Sequence, residues 1–203
     1  MYWIARVFSR RVVTGVEHLS EVGGAVVVCN HLSPLDAIFL GLAVNESGRT
    51  IRFVGAAEAF DNPLFGWALK RIHQIPVQRG KRDVKALEGP ARIVRGGGLV
   101  GIYPEGRIGL GPELQSARRG AARIALNSTK TFVPAGAWGM NVRWDRHPRW
   151  RLPLRPIVAV AFGPPITVEG DPHSGEDLSA ATDRLMEAIA KQVVVARSMA
   201  PLP

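Results

Sequence analysis

Five consecutive apolar residues, Ala25-Val-Val-Val-Cys29, constrain this chain more than any other feature. A strand with one wet face alternates apolar and polar side chains. A run that is apolar at every position and rich in β-branched valine reads instead as a strand buried on both faces, which needs a sheet beside it and helices above and below. Further strand-like runs follow at Ile51–Gly55, Gln74–Val77, Leu99–Tyr103, Thr131–Ala135 and Ile157–Phe162. Helical segments separate them: Pro34–Ala43, Phe60–Ile72, Val84–Arg95, closed by Gly96-Gly97-Gly98, and Ala117–Asn127. An amphipathic terminal helix spans Leu178–Arg197. Ser33 and Pro34 supply an N-cap and a first helical residue. The alternation predicts an α/β fold with a mixed, largely parallel sheet flanked by helices on both faces.

At 203 residues the chain suits one domain, 1–203. One cysteine excludes an internal disulfide framework and a multi-cysteine metal site. No apolar run approaches the roughly 18–20 residues of a spanning helix. The N-terminal stretch 1–19 carries Arg6, Arg10 and Arg11 and no apolar core of a secretory signal. Trp3, Ile4, Val7 and Phe8 fall at helical spacing. They predict a short helix that either lies in a bilayer interface or packs on its own domain.

The formal charge is +9, and it is unevenly placed. Residues 51–150 hold 17 lysines and arginines against 7 acids, whereas the rest of the chain holds 9 against 10. Such a field draws phosphates, whether of nucleic acid, anionic lipid, or a phosphorylated substrate or coenzyme.

In open α/β sheets, sites form where loops leave the carboxyl ends of strands. Three such exits carry reactive residues. At the first, His31 leaves a buried strand and Asp36 follows five residues on. An imidazole used as a general base must be held in one tautomer and stabilised once protonated, and a carboxylate does both. Asp36 can equally cap a helix start, and His31 can be a satisfied loop residue. At the second exit, Arg79 beside Gly80 can present its planar fork to a phosphate, or be a solvated turn. At the third, Glu105-Gly106-Arg107 follows Tyr103-Pro104. Glu105 can receive a hydroxyl hydrogen bond or hold an arginine, Gly106 permits close approach, and Arg107 can bind phosphate. A plain surface Glu–Arg pair is the alternative.

In this order and spacing the blocks resemble the glycerolipid acyltransferases, nearest to the bacterial 1-acylglycerol-3-phosphate acyltransferases. The carriers are Val28-Cys-Asn-His31-x4-Asp36, Asn62-Pro-Leu-Phe-Gly-Trp-Ala-Leu with Ile75-Pro-Val-Gln-Arg79, Tyr103-Pro-Glu-Gly106, and Val133-Pro134. Arg119-Gly120-Ala-Ala-Arg-Ile-Ala-Leu and Phe162-Gly-Pro-Pro165 extend the likeness, which runs from about Thr14 to Pro165. The resemblance implies that His31 is the general base and Asp36 its orienting partner. It implies that Arg79 holds the acceptor's phosphate, that Glu105 and Gly106 position the acceptor, and that Pro134 shapes the acyl-chain side. The third block departs from the usual Pro-Glu-Gly-Thr-Arg order, because Arg107-Ile108 follows Gly106. That change leaves another acceptor open: a lysophospholipid, glycerol 3-phosphate or a specialised alcohol.

The implied reaction moves a fatty acyl group from acyl-CoA or acyl carrier protein to the free hydroxyl of 1-acylglycerol 3-phosphate (lysophosphatidic acid), giving phosphatidic acid. A thioester is already activated, so the expectation includes no cofactor and no metal. Backbone N–H groups at Ser33–Asp36 are candidate donors to the oxyanion. The expected place of work is an anionic membrane surface on the cytoplasmic face, with Trp138–Trp150 as an interfacial loop or a loop with core-facing tryptophans. A basic nucleic-acid-binding module is the reading outside this class, although no helix-turn-helix, zinc-finger or RNP pattern occurs. His18, His73, His147 and His173 receive no role, and Cys29 reads as a small buried hydrophobe.

Overall fold

A computed structural model describes residues 10–61, 66, 67, 69, 74–77, 84–109, 111, 113–139 and 157–200. The strands are β1 (Arg10–Thr14), β2 (Ala25–Cys29), β3 (Ile51–Ala56), β4 (Ile75–Val77), β5 (Leu99–Ile102), β6 (Thr131–Trp138), β7 (Ile157–Phe162) and β8 (Ile166–Thr167). The α-helices bounded within the described residues are α1 (Asp36–Val44), α2 (Glu88–Arg95), α3 (Gly120–Leu126) and α4 (Gly175–Met199). The strands form one sheet in the order β1-β7-β6-β2-β5-β3-β4, with β8 also on β6. Pairing is parallel throughout β6-β2-β5-β3-β4 and again between β1 and β7, and antiparallel where β6 meets β7 and β8.

β2 lies between β5 and β6, and all five of its residues are buried. Side chains alternate across a strand, so its run feeds two cores. Val26 and Val28 join Ala91 and Val94 of α2, Ile124 of α3, and Leu185 and Ile189 of α4 on one face. Ala25, Val27 and Cys29 join Leu40, Ala43 and Val44 of α1 on the other. Burying one large aliphatic side chain stabilises the fold by about 1.5–3 kcal/mol, so both layers depend on this strand.

Two junctions set the shape near the carboxyl end of β2. Thr131 and Phe132 pair with β8 and Ala135–Trp138 with β7, so Pro134, which has no N–H to donate, falls in the gap between the two partners. Its carbonyl accepts the Gly163 N–H at 2.8 Å. At Gly136 an added Cβ would lie 2.2 Å from the backbone carbon of Gln192, so α4 packs directly on the β6 backbone.

Several predicted boundaries shift. The N-terminal helix does not extend through residue 14, because Arg10–Thr14 pairs with Ile157–Ala161 as edge strand β1, and Val16–Leu19 is a 3-10 turn. Residues 1–9 and 140–156 lie outside the described set. Trp138 closes β6 at 1% exposure, with the Arg197 guanidinium 4.8 Å from its ring centroid, so it is a core residue and not part of an interfacial loop. The third helical segment, Val84–Arg95, splits into a 3-10 turn at Val84–Leu87 and α2, and most of the second, Phe60–Ile72, lies outside the described residues.

Candidate active site

The loop after β2 is fixed before any side chain does chemistry. Asn30 is 2% exposed; its amide donates to the Ala137 carbonyl at 3.0 Å and its carbonyl accepts the Ala137 N–H at 2.7 Å. The side chain thus continues the β2–β6 ladder by one rung and sets where His31 emerges. Both backbone groups of His31 are then held from the loop after β5. Its N–H donates to Glu105 Oε1 at 2.9 Å, and its carbonyl accepts the Gly109 N–H at 2.6 Å.

His31 and Asp36 are brought together. Nδ1 of His31 stands 2.8 Å from Oδ2 of Asp36. The same oxygen accepts the Leu32 N–H at 2.6 Å and the Ser33 N–H at 2.9 Å. An oxygen that already accepts two backbone N–H groups is held as an acceptor, so the ring proton sits on Nδ1 and Nε2 keeps its lone pair. Asp36 is fully buried, while 18% of the His31 side chain remains accessible. The arrangement suits an orienting carboxylate behind a reachable base.

The wrapping of 32 and 33 around Asp36 also explains a corrected expectation. Ser33 and Pro34 do not begin the helix; α1 starts at Asp36, and Ser33 Oγ instead accepts the Leu35 N–H at 3.2 Å. The oxyanion donors expected at Ser33–Asp36 are therefore engaged. Ser33 N–H is on Asp36, Leu35 N–H is on Ser33 Oγ, Asp36 N–H is on the Ser33 carbonyl at 3.1 Å, and Pro34 has none.

Glu105 is 4% exposed and uses both oxygens on the protein's own backbone, Oε1 on His31 and Oε2 on the Gln115 N–H at 2.9 Å. It secures the His31 loop from inside. Gly106 adopts φ 66° and donates its N–H to the Tyr103 carbonyl at 3.0 Å. Arg107 is exposed. Pro134 is buried in the sheet opposite Val28. Arg79 lies outside the described residues.

Tyr103 heads the third block, and the sequence assigned it no role. Its ring stacks on His31 with centroids 4.1 Å apart and planes 11° from parallel, and Phe53 lies behind it at 5.9 Å. Its hydroxyl is buried with no hydrogen-bond partner, as is Asp36 Oδ1. Burial, then the Asp36 charge, push its phenol well above the usual range, so it stays neutral. An aromatic at the end of a buried strand, one residue short of Pro-Glu-Gly, was the available signal. The same burial, with Asp36 and Glu105 adding to it, raises the Cys29 thiol well above its ordinary value.

The acyltransferase family profile matches residues 10–138. An uncharacterized protein of Mycobacterium leprae is 32% identical over 139 residues, 63% of this chain; the chain spans 36% of that relative's length. A Bacillus subtilis protein named 1-acyl-sn-glycerol-3-phosphate acyltransferase is 29% identical over 175 residues, covering 85% of this chain and 83% of its own. The crystal structure titled 1-acyl-sn-glycerophosphate (LPA) acyltransferase, PlsC, from Thermotoga maritima superposes with a TM-score of 0.66. It covers 94% of this chain and 77% of its own at 19% identity, which shows a shared fold.

Proposed function

The chain belongs to the acyltransferase family, and from that membership we propose that it moves a fatty acyl group from a thioester to the free hydroxyl of 1-acylglycerol 3-phosphate. The observation that carries the reading is the His31–Asp36 pair, with its ring proton fixed on Nδ1 and its far nitrogen free. The printed name of the Bacillus subtilis relative supports the choice of acceptor.

His31 Nε2 takes the hydroxyl proton as the acceptor oxygen forms its bond to the thioester carbonyl carbon. The tetrahedral intermediate collapses with loss of the C–S bond, and the imidazolium returns its proton to the departing thiolate, giving ester and thiol. Asp36 stabilises the imidazolium between the two transfers. Such proton transfer is worth roughly 10²–10⁴-fold. The chemistry draws on a donor that is already activated and so invokes no cofactor; acyl-CoA or acyl carrier protein both qualify.

Because acceptor and product are lipids, the reading puts the protein at an anionic membrane surface, on the cytoplasmic face where such donors occur. Among the described residues no helix is long and apolar enough to cross a membrane, which is compatible with peripheral attachment. Trp67 is 64% exposed and Ile108 40% exposed, apolar groups of the kind that insert at an interface.

Product analysis with labelled acyl-CoA and a panel of lysolipids tests the proposal. The expected result is phosphatidic acid from lysophosphatidic acid. Transfer to a lysophospholipid, glycerol 3-phosphate or another alcohol, with none to lysophosphatidic acid, would move the assignment to that acceptor, the second reading that Arg107-Ile108 favours.

A further inference from the structure

The loop after β5 encloses His31 at both ends, through Glu105 on its N–H and Gly109 on its carbonyl. Gly106 sits in that loop, directly after Glu105. A Cβ placed there would lie 2.9 Å from Nε and 3.0 Å from Cδ of Arg118. The glycine therefore leaves room for the Arg118 side chain, which lies across the loop. Arg118 is also pinned by its backbone, whose N–H donates to the Pro104 carbonyl at 2.8 Å.

Several other arginines are already engaged. Arg49 donates to the carbonyls of Leu19, Val22, Gly23 and Gly97; Arg95 pairs with Glu88; Arg11 pairs with Glu46. The exposed Arg118 guanidinium makes no hydrogen bond or ion pair with another described residue. Glu105, the residue before Gly106, is turned inward onto the backbone N–H groups of His31 and Gln115.

We propose that Arg118 grips the phosphate of the acceptor and so selects phosphate-bearing alcohols. A guanidinium offers a rigid fork matched to two phosphate oxygens, and this one extends from a backbone anchored beside the loop that holds His31. The inference rests on the acyl transfer proposed above and adds a specificity-determining residue to it. Arg107, on the same loop, is a second exposed cation that would add charge without the same anchoring. Arg119, next in sequence, leans elsewhere: its Nη1 lies 3.6 Å from where a Gly175 Cβ would stand, at the start of α4.

The test compares initial rates of wild type, Arg118→Gln, Arg118→Lys and Arg119→Gln, with lysophosphatidic acid and with the uncharged monoacylglycerol of the same chain. For Arg118→Gln the KM for lysophosphatidic acid should rise roughly 10- to 100-fold, the loss of hydrogen bonds to a charged group. Its kcat should change far less, and its rate on monoacylglycerol should match wild type. Arg118→Lys should recover part of the loss, Arg119→Gln should behave as wild type, and inorganic phosphate should inhibit wild type more than Arg118→Gln. An unchanged KM in a folded Arg118→Gln protein, with wild type active on lysophosphatidic acid, overturns the inference alone. An equal loss on both acceptors also overturns it, as a structural effect. A wild type that ignores lysophosphatidic acid overturns the reading it rests on as well.

Discussion

Asp36 Oδ2 collects three N–H donors, from Leu32, Ser33 and His31, and this concentration on one atom sets the protonation of the imidazole. Asp36→Asn presents an amide where the pair needs an acceptor and removes the charge that stabilises the imidazolium. We expect kcat to fall by about 10²–10⁴-fold, the full worth of the proton transfer, with a native circular dichroism spectrum. Tyr103 acts on the other side of the ring. Its face lies over His31, and an aromatic face favours the cationic imidazolium by roughly 0.5–2 kcal/mol. Its hydroxyl has no partner, so Tyr103→Phe should keep wild-type kcat and pH profile. Tyr103→Leu should lower kcat, because the imidazole loses the face it stacks on. Equal kcat for the Leu and Phe variants would remove the stack from the mechanism.

At the scale of elements, the contact of α4 with β6 fixes the end of the sheet from which His31 emerges. Gly136→Val would drive a side chain into the Gln192 backbone. Overpacking of this kind costs about 1–3 kcal/mol, read as a lower denaturant midpoint. Leu185→Ala, fully buried in the same layer, should cost about 2–5 kcal/mol. Element reading from sequence succeeded where pattern and packing agree. The β2 run and Ile157–Phe162 occur over the expected residues, since continuous apolar runs have no other stable place. It failed where a partner decides. Arg10–Thr14 carries two arginines and becomes a strand only because β7 offers it an edge, and β8 is two residues long. The terminal helix begins at Gly175, three residues earlier than its apolar stripe, because Ser174 Oγ accepts the Asp177 N–H at 3.2 Å. That Ser-x-x-Asp cap stands in the sequence one turn ahead of the apolar stripe.

Across the whole molecule, the sheet gathers residues 30–36, 103–109 and 115–118 at the carboxyl ends of two neighbouring parallel strands, β2 and β5. The His31–Asp36 pair and the block at Glu105 were visible as spacing. Their division of labour was not, because it depends on which oxygen meets which backbone N–H across 74 residues. The protection of this region has a chemical readout. Cys29, buried under the site, has its thiol raised by burial and by Asp36 and Glu105. A raised folded-state value means that the folded chain keeps this proton while the unfolded chain loses it above about pH 8.5. The thiol's contribution to stability is thus full below that pH and declines above it. Native protein at pH 8 should resist a thiol-reactive disulfide reagent, and protein in guanidinium should react with one equivalent; rapid native labelling would contradict the buried placement.

The central claim is that the His31 imidazole is the base that activates a lipid hydroxyl. The most direct measurement is single-turnover transfer of a labelled acyl chain from acyl-CoA to lysophosphatidic acid by wild type and His31→Ala, both shown folded by circular dichroism. The account predicts labelled phosphatidic acid from wild type and a rate lower by about 10²–10⁴-fold in the variant. Equal rates would contradict it.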